Sequence, residues 1–136
     1  MPVESDAVLR EILGLETIAV VGCSGTPGKA AHDVPAYLRE AGYEIYPVNP
    51  HTDEVFGVSA ADTILDVEAD IDIVCIFRPS EEVPAIVDEA VDRDDIDVVW
   101  TQRGIRNDEA AHHAEAAGVT MIQDRCMKVE HRRLAG

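Results

Sequence analysis

The stretch Ile18-Ala-Val-Val-Gly-Cys-Ser-Gly-Thr-Pro-Gly-Lys29 decides the fold of this chain. An apolar, β-branched run from Ile18 to Val21 stops at Gly22 and enters a loop rich in Gly and Ser, and a helical pattern begins near Ala30. This order predicts a strand, a tight loop and a helix. Backbone amides in such a loop can approach an anion, and the helix N-terminus adds partial positive charge. The stretch therefore indicates a phosphate site, with an ordinary βα turn as the alternative.

The overall composition excludes several classes of partner. The 136 residues include 27 acidic residues against 11 lysines and arginines, which gives a formal net charge of −16. Such a surface repels nucleic acid and anionic membranes. No apolar run is long enough to cross a bilayer and the acidic N-terminus does not resemble a signal peptide, so we expect a cytoplasmic protein. We interpret the charge as solvent adaptation, because acidic, lysine-poor surfaces resemble those of cytosolic proteins from salt-loving microbes.

Cysteine spacing and cation placement say more about the chemistry. The cysteines Cys23, Cys75 and Cys126 form no C-x-x-C pair, which indicates reduced thiols and neither a zinc site nor a disulfide framework. Lys29, Arg78 and Arg103 each follow a predicted strand. Loops after parallel strands meet at one edge of a sheet, so these three cations are expected to converge there.

Hydrophobic periodicity predicts strands alternating with helices along the whole chain. The predicted strands are Thr17 to Val21, Glu44 to Val48, Ile71 to Phe77, Asp97 to Trp100 and Val119 to Ile122. Helices are predicted after the N-caps Ser5, Ser80 and Asn107 and near Ala30 to Ala41, where Gly42 and later Gly118 provide stops. A short strand around Val55 to Val58 and a short helix around Ala60 to Leu65 complete the assignment, and nothing is assigned after Ile122. The pattern predicts one doubly wound α/β domain over residues 1–136, with a mostly parallel sheet.

The predicted second strand carries an argument about the ligand. A nicotinamide dinucleotide fold normally ends this strand with Asp or Glu, which holds the ribose hydroxyls, whereas this chain has Asn49. The loop after the first strand also follows G-x-x-G-x-x-G and not G-x-G-x-x-G. Both features count against an NAD site.

Several motifs together resemble a known family. They are V-G-C-S-G-T-P-G-K, G-Y-E-I-Y-P-V-N-P, F-R-P-S-E-E-V-P, W-T-Q-R-G-I-R-N-D-E-A and D-R-C-M-K-V-E-H-R-R. In order and spacing they resemble the small single-domain coenzyme A-binding proteins, and the fold is similar to the coenzyme A-binding domain of the succinate–CoA ligase α subunit. The resemblance implies a Rossmann-like, three-layer α/β/α fold that binds coenzyme A or an acyl-CoA.

The resemblance also implies which residues hold the cofactor. It places the phosphates on the first loop, with a cation beside them, through Gly22, Ser24, Gly25, Thr26, Pro27 and Lys29. It places the adenosine side of the cleft at Asn49 and Pro50, and the other wall at Arg78, Pro79, Thr101, Gln102 and Arg103. Cys126 would face the same edge. Turn capping by Ser24, an acid partner for Arg78 and a backbone role for Gln102 are the structural alternatives.

No pattern in the chain indicates catalysis. His112 and His113 are predicted on the exposed side of a helix and His131 in a charged tail, whereas His51 lies near the cleft. We therefore expect a non-catalytic binding module for coenzyme A. The alternatives are a small dinucleotide-dependent oxidoreductase and a coenzyme A-binding subunit of a split acyl-CoA ligase. Partners would be the small-molecule ligand and either a second copy of the chain or a ligase subunit.

Overall fold

The computed structural model describes residues 5–134. Residues 1–4, on which the prediction about a signal peptide partly rests, lie outside the described residues, as do residues 135–136. The helices are α1 (Asp6–Leu13), α2 (Ala30–Glu40), α3 (Val83–Asp92), α4 (Asp108–Ala116) and α5 (Met127–Leu134). The strands are β1 (Thr17–Val21), β2 (Glu44–Val48), β3 (Glu54–Val55), β4 (Val58–Ser59), β5 (Ile73–Ile76), β6 (Val98–Thr101) and β7 (Thr120–Ile122).

Five parallel strands form the main sheet in the order β2-β1-β5-β6-β7. The chain moves from β1 outward to β2 and then returns past β1 to β5, so the direction of winding changes between β1 and β5. This is the doubly wound Rossmann-like topology that the alternation of strands and helices predicts. In such sheets ligands bind at the carboxyl ends of the strands beside the point of reversal.

Two apolar layers cover the sheet and confirm the predicted three-layer architecture. On one face α1, α2 and α5 pack over a core that includes Leu9, Leu38 and Trp100. On the other face α3 and α4 pack over a core that includes Val87 and Ala114. The central strands β5 and β6 are buried along their whole length, as expected for parallel strands with helices on both sides. None of the helices in the described part of the chain has the length and apolar character needed to cross a membrane.

Local capping chemistry explains where several helices begin and end. The Ser5 Oγ accepts from the Val8 N–H at 3.3 Å, and the Asn107 Oδ1 accepts from the Ala110 N–H at 2.9 Å. Gly42 and Gly118 follow helix ends with φ of +109° and +85°, which a side chain would disfavour. These four predicted boundary roles are confirmed.

Three predicted local features differ from the structure. Ser80 does not cap a helix: it begins a 3₁₀ turn, Ser80–Glu82, and its Oγ accepts from the Arg106 N–H at 2.9 Å. Pro79 and Pro84 around this turn delay the α-helix until Val83. The helix expected around Ala60 to Leu65 is only a 3₁₀ turn, Ile64–Asp66, and the expected single strand is the β3–β4 hairpin, because Gly57 permits a reversal of the chain.

The helix α5 has no counterpart among the predicted elements. Charged residues dominate its sequence, so the apolar periodicity that identifies a helix is weak there. Met127 is buried in the core, and Glu130 is buried with its carboxylate accepting from Arg133. His131, expected in a solvated tail, is half-buried and its Nδ1 lies 2.7 Å from the Tyr37 hydroxyl.

Candidate functional site

A cleft of about 220 Å³ opens at the carboxyl edge of the sheet, beside the reversal between β1 and β5. Its apolar base comes from the strand ends and from one side of α3. Its lining residues include Val21, Gly22, Val48, Asn49, Pro50, His51, Asp62, Thr63, Ile64, Arg78, Glu82, Ile86 and Glu89. We call it the switch-point cleft. Its position is the one at which doubly wound sheets bind ligands.

Gly22 brings the backbone of the first loop against the loop after β5. Its φ is +86°, and a Cβ at this position would lie 3.0 Å from the Arg78 Cδ and 3.2 Å from the Phe77 carbonyl oxygen. Its N–H donates to the Val48 carbonyl at 2.8 Å. Gly22 therefore has a left-handed conformation and lies close to the ends of both β2 and β5. A side chain at this position would be unfavourable for both reasons.

From Gly25 to Lys29 the first loop is exposed, and hydrogen bonds to Ser24 and Asp33 shape it. The Ser24 Oγ accepts from the Thr26 N–H at 3.0 Å, which is the turn-capping role left open as an alternative. The Asp33 Oδ1 accepts from the Gly28 N–H at 3.2 Å and so ties the loop to α2. Lys29 stands at the N-cap of α2 and is exposed. The lining of the switch-point cleft does not include the predicted loop residues Ser24, Gly25, Thr26, Pro27 and Lys29.

Asn49 connects the loop after β2 to the loop after β1. Its Nδ2 donates to the Cys23 carbonyl at 2.9 Å, and its Oδ1 accepts from the His51 N–H at 2.8 Å. The Asn49 side-chain amide thus acts as both a donor and an acceptor of hydrogen bonds within the protein. An acid cannot replace it, because a carboxylate has no N–H to offer to the Cys23 carbonyl.

We expect Asn49→Asp to lower the free energy of unfolding by about 1–3 kcal/mol at pH 7, since it places a carboxylate against the Cys23 carbonyl oxygen. Protonation of the introduced carboxyl restores a donor, so the loss should shrink as the pH falls toward about 4. Urea unfolding at neutral and at acidic pH measures both effects. A loss that does not change with pH, or a gain of NAD binding in the variant, would contradict this account of Asn49.

Carboxylates outnumber cations in the switch-point cleft. The Arg78 guanidinium donates to both oxygens of Glu82, at 2.9 and 2.8 Å, which is the acid partner considered among the alternatives. This pair is about half exposed, so it adds little stability. It holds the pKa of Glu82 below its ordinary value. Partial burial and the charge of Asp66 raise the pKa of the Glu89 carboxyl.

Sequence reasoning did not identify the carboxylates that line this cleft, Asp62, Glu82 and Glu89, which we call the acidic wall. Ile86 and Glu89 lie on one side of α3, and Glu82 precedes them at helical spacing from the N-cap of that helix, a signal that the sequence does contain. Asp62 and Thr63 lie in the irregular segment after β4, and no periodicity marks them.

Arg93 holds that irregular segment in place. Its guanidinium donates to the Ile64, Val67 and Ala69 carbonyls at 2.6 to 2.8 Å, and to both oxygens of Asp95. The guanidinium in turn lowers the pKa of Asp95 to about 2. The guanidinium of Arg93, itself paired with Asp95, thus holds the segment that forms one wall of the cleft.

Thr101 and Gln102 are buried and serve the loops after β6 and β7. The Thr101 hydroxyl donates to the Ile105 carbonyl at 2.7 Å and accepts from the Asp124 N–H at 3.2 Å. The Gln102 Nε2 lies 2.8 Å from the Cys75 sulfur, and its Oε1 accepts from the Met127 N–H at 3.1 Å. Their polar atoms are used inside the protein, as the structural alternative for Gln102 proposed.

A second cavity, of about 370 Å³, lies at the same edge of the sheet beside β6 and β7. We call it the basic cleft. Its lining residues are Arg103, Arg106, Gln123, Asp124, Arg125, Cys126 and Glu130. The structure therefore separates the predicted site residues: Gly22, Asn49, Pro50 and Arg78 line one cleft, Arg103 and Cys126 line the other, and Pro79 is exposed and lines neither.

The thiols differ in their surroundings. Cys23 and Cys75 are buried in the core, and burial raises the pKa of Cys23 to about 12 and raises that of Cys75 as well. Neither thiol is ionised near neutral pH, so neither is a nucleophile there. Cys126 is half-buried and is the thiol that a ligand can reach from the basic cleft.

Comparison with known proteins identifies the family of the chain. The sequence profile described as CoA binding domain matches residues 16–132, which include every residue discussed above at the two clefts. The chain belongs to the CoA-binding domain family. The resemblance stated from the motifs is thus confirmed at the level of the family.

Relatives of this CoA-binding domain occur both as small proteins and inside larger ones. The uncharacterized protein YneT of Bacillus subtilis is 42% identical over 128 residues, covering 93% of this chain and 94% of its own. A solved structure of a hypothetical protein from Pyrococcus horikoshii has a TM-score of 0.93 at 38% identity, covering 97% of this chain and 93% of its own. The ADP-forming acetate–CoA ligase of Methanocaldococcus jannaschii is 37% identical over 84 residues, or 62% of this chain and 12% of the ligase.

Proposed function

We propose that this protein binds coenzyme A or an acyl-CoA, with the adenosine part in the switch-point cleft and the phosphates at the glycine loop. The proposal rests on the match to the CoA-binding domain family, which includes the loops after β1, β2 and β5 that meet at this cleft. The position beside the reversal of winding is the one where an α/β sheet accepts a nucleotide.

The cations near the cleft suit the diphosphate of an ADP group, and the carboxylates that line it suit the adenosine. The diphosphate would sit toward Gly22, the N-terminus of α2 and the side chains of Lys29 and Arg78, where backbone donors and cations are available. The ribose 2′-hydroxyl and the adenine amino group of coenzyme A are donors, and the carboxylates of Asp62 and Glu89 in the cleft can accept from them. The ligand would therefore lie with its phosphates outward.

We propose that the protein carries out no reaction on this ligand. General acid–base catalysis needs a titrating side chain that is oriented by a second group. His51 is the histidine at the cleft, and its ring makes no hydrogen bond with any residue of the range 5–134. His32 is paired with Asp33, and His112 and His113 are exposed on α4.

Calorimetric titration with coenzyme A, acetyl-CoA and NAD tests the proposal. We propose that the acidic surface is an adaptation to concentrated salt, so the titrations are run in about 2 M and in about 0.2 M KCl. Saturable binding of coenzyme A without binding of NAD is the expected result. Binding of NAD alone would assign the acidic wall to a dinucleotide and would support the small oxidoreductase instead.

Arg78 offers a prediction that separates ligand binding from stability. We expect Arg78→Met to weaken coenzyme A binding by about tenfold, because it removes a charge-assisted phosphate contact. It should change the free energy of unfolding by less than about 0.5 kcal/mol, since its pair with Glu82 is exposed. Titration and urea unfolding measure the two quantities.

Glu82→Gln is the matched control for Arg78. It breaks the same ion pair but leaves the guanidinium in place and removes a negative charge from the cleft, so affinity for coenzyme A should stay the same or rise. If both variants bind coenzyme A as the parent protein does, Arg78 serves only its ion pair and has no part in the site.

A second candidate function follows from the ligase relatives. The chain could supply the coenzyme A-binding part of a split acyl-CoA ligase, since it shares 37% identity with the Methanocaldococcus jannaschii acetate–CoA ligase over 62% of its own length. It spans only 12% of that ligase, so such an activity would require the remaining parts from other chains. The binding experiment above applies equally to this role.

A further inference from the structure

The basic cleft stands out against the charge of the whole molecule. Three arginines line it, in a protein that has only 11 lysines and arginines against 27 acidic residues. Its two carboxylates are already engaged: the Asp124 Oδ1 accepts from the Gly104 N–H at 2.6 Å, and the Glu130 Oε1 accepts from Arg133 at 2.6 Å. The positive charge at this cleft is therefore not a by-product of a basic surface.

Arg103 is the cation of this cleft that is available to a ligand. Its side chain is exposed, and within residues 5–134 its guanidinium has no hydrogen-bond or ion-pair partner. Arg106 lies 3.2 Å from Asp108, and Arg125 lies 3.5 Å from Glu130. The Arg103 guanidinium can therefore donate two parallel hydrogen bonds to a carboxylate or a phosphate of a ligand.

Buried hydrogen bonds fix the two loops that carry these arginines. The Thr101 hydroxyl joins the loop after β6 to the Asp124 N–H of the loop after β7. The Arg125 N–H donates to the Thr101 carbonyl at 3.3 Å, and the Trp100 indole N–H donates to the Arg125 carbonyl at 2.8 Å. The arginine backbones are thus held before any ligand arrives, which reduces the entropy lost on binding.

The basic cleft lies within reach of a ligand that is anchored in the switch-point cleft. Both open at the carboxyl edge of one sheet, and the midpoint of β6 and β7 is two strand positions from the midpoint of β1 and β5. At roughly 4.8 Å per strand this is about 10 Å. The phosphopantetheine arm of coenzyme A, a flexible chain that ends in the thiol, can cover that span.

We propose that the basic cleft selects acyl-CoAs whose acyl group carries a free carboxylate, with Arg103 as the group that binds it. This rests on the proposed binding of coenzyme A at the switch-point cleft. With the diphosphate at the first loop, the arm is long enough to bring the thioester end to β6 and β7, where an uncharged acyl group offers the exposed Arg103 guanidinium no charged partner. A carboxylate supplies that partner.

Titration with matched acyl-CoAs tests this specificity. Malonyl-CoA and acetoacetyl-CoA have similar shapes and differ in one negative charge, and glutaryl-CoA with valeryl-CoA gives the same comparison at a longer chain length. We expect at least one carboxylated ligand to bind about tenfold more tightly than its uncharged counterpart. Arg103→Gln should bring the affinities of the charged and uncharged members of each pair to about the same value, and Arg103→Lys should keep part of the difference.

The other outcomes separate the inference from the proposed function. Equal affinities for charged and uncharged ligands, with coenzyme A still bound, overturn the carboxylate specificity and leave the proposed function intact. A loss of coenzyme A affinity in Arg103→Gln that is absent for dephospho-coenzyme A would show that Arg103 binds the 3′-phosphate, and this also overturns the specificity. If no coenzyme A derivative binds, both are overturned.

Discussion

Gly22→Ala is expected to lower the free energy of unfolding by about 3 kcal/mol and to weaken coenzyme A binding by about tenfold or more. Two costs add at this position. The φ of +86° is unfavourable for a residue with a Cβ, and that Cβ would lie 3.2 Å from the Phe77 carbonyl oxygen and 3.0 Å from the Arg78 Cδ. The loops after β1 and β5 must separate to relieve the contact, and this displaces both walls of the switch-point cleft.

Gly118→Ala separates these two costs. Gly118 has nearly the same φ, +85°, but no atom of residues 5–134 beyond its chain neighbours lies within 4 Å of the position that a Cβ would take. It lies at the opposite edge of the sheet, between α4 and β7. The Gly118→Ala variant should lose about 1 kcal/mol of unfolding free energy, through backbone conformation alone, and should keep its affinity for coenzyme A. Urea unfolding and calorimetry on both variants make the comparison. Equal stability losses in the two variants would mean that the close approach at Gly22 has no energetic role.

Arg93→Met is expected to destabilise the protein by about 3 kcal/mol and to weaken coenzyme A binding as a secondary effect. Methionine keeps much of the apolar stem but leaves Asp95 without its cation and three carbonyls without their donor. The released segment contains Ile64, which lines the switch-point cleft. Arg106→Met is the matched control, because its ion pair with Asp108 is exposed and should contribute less than about 0.5 kcal/mol.

The pH dependence of the Arg93→Met effect identifies its cause. Arg93 lowers the pKa of Asp95 from 3.8 to about 2, so the pair stabilises the fold fully above about pH 4. That stabilisation is lost as the pH falls from about 4 to about 2, because the unfolded state then binds a proton that the folded state still excludes. The difference in unfolding free energy between the parent protein and Arg93→Met should therefore narrow over this interval. A constant difference would assign the effect to the three carbonyls alone.

Much of the fold follows from local sequence signals. The strand ends agree with the predicted ends to within a few residues, because parallel strands buried on both faces must be continuously apolar, as β5 and β6 are. Ser5 and Asn107 are confirmed as N-caps because their hydroxyl and amide groups meet local donors only three residues away. Ser80 has the same chemistry, but its oxygen is taken by Arg106, a residue 26 positions further along the chain.

The helix α5 is an element that local sequence signals do not predict. Its polar residues gain their partners from distant segments: His131 meets Tyr37 of α2, and Arg133 meets Asp6 of α1. The charges that conceal the helix in the sequence are therefore the groups that attach it to the fold. Periodicity records which residues are apolar and cannot record such pairings.

Periodicity, turn residues and motif order were enough to predict the fold class and the family. They also predict that a ligand binds at the carboxyl edge of the sheet. They predicted one continuous site, because all loops after parallel strands share an edge. Folding divides that edge into two clefts, buries Thr101 and Gln102 as connectors between loops, and brings Asp62 and Glu89 from unrelated segments to the acidic wall. The reason is physical: strand and helix formation depend on neighbours in the chain, whereas the lining of a cleft depends on which segments pack together, and only tertiary contacts decide that.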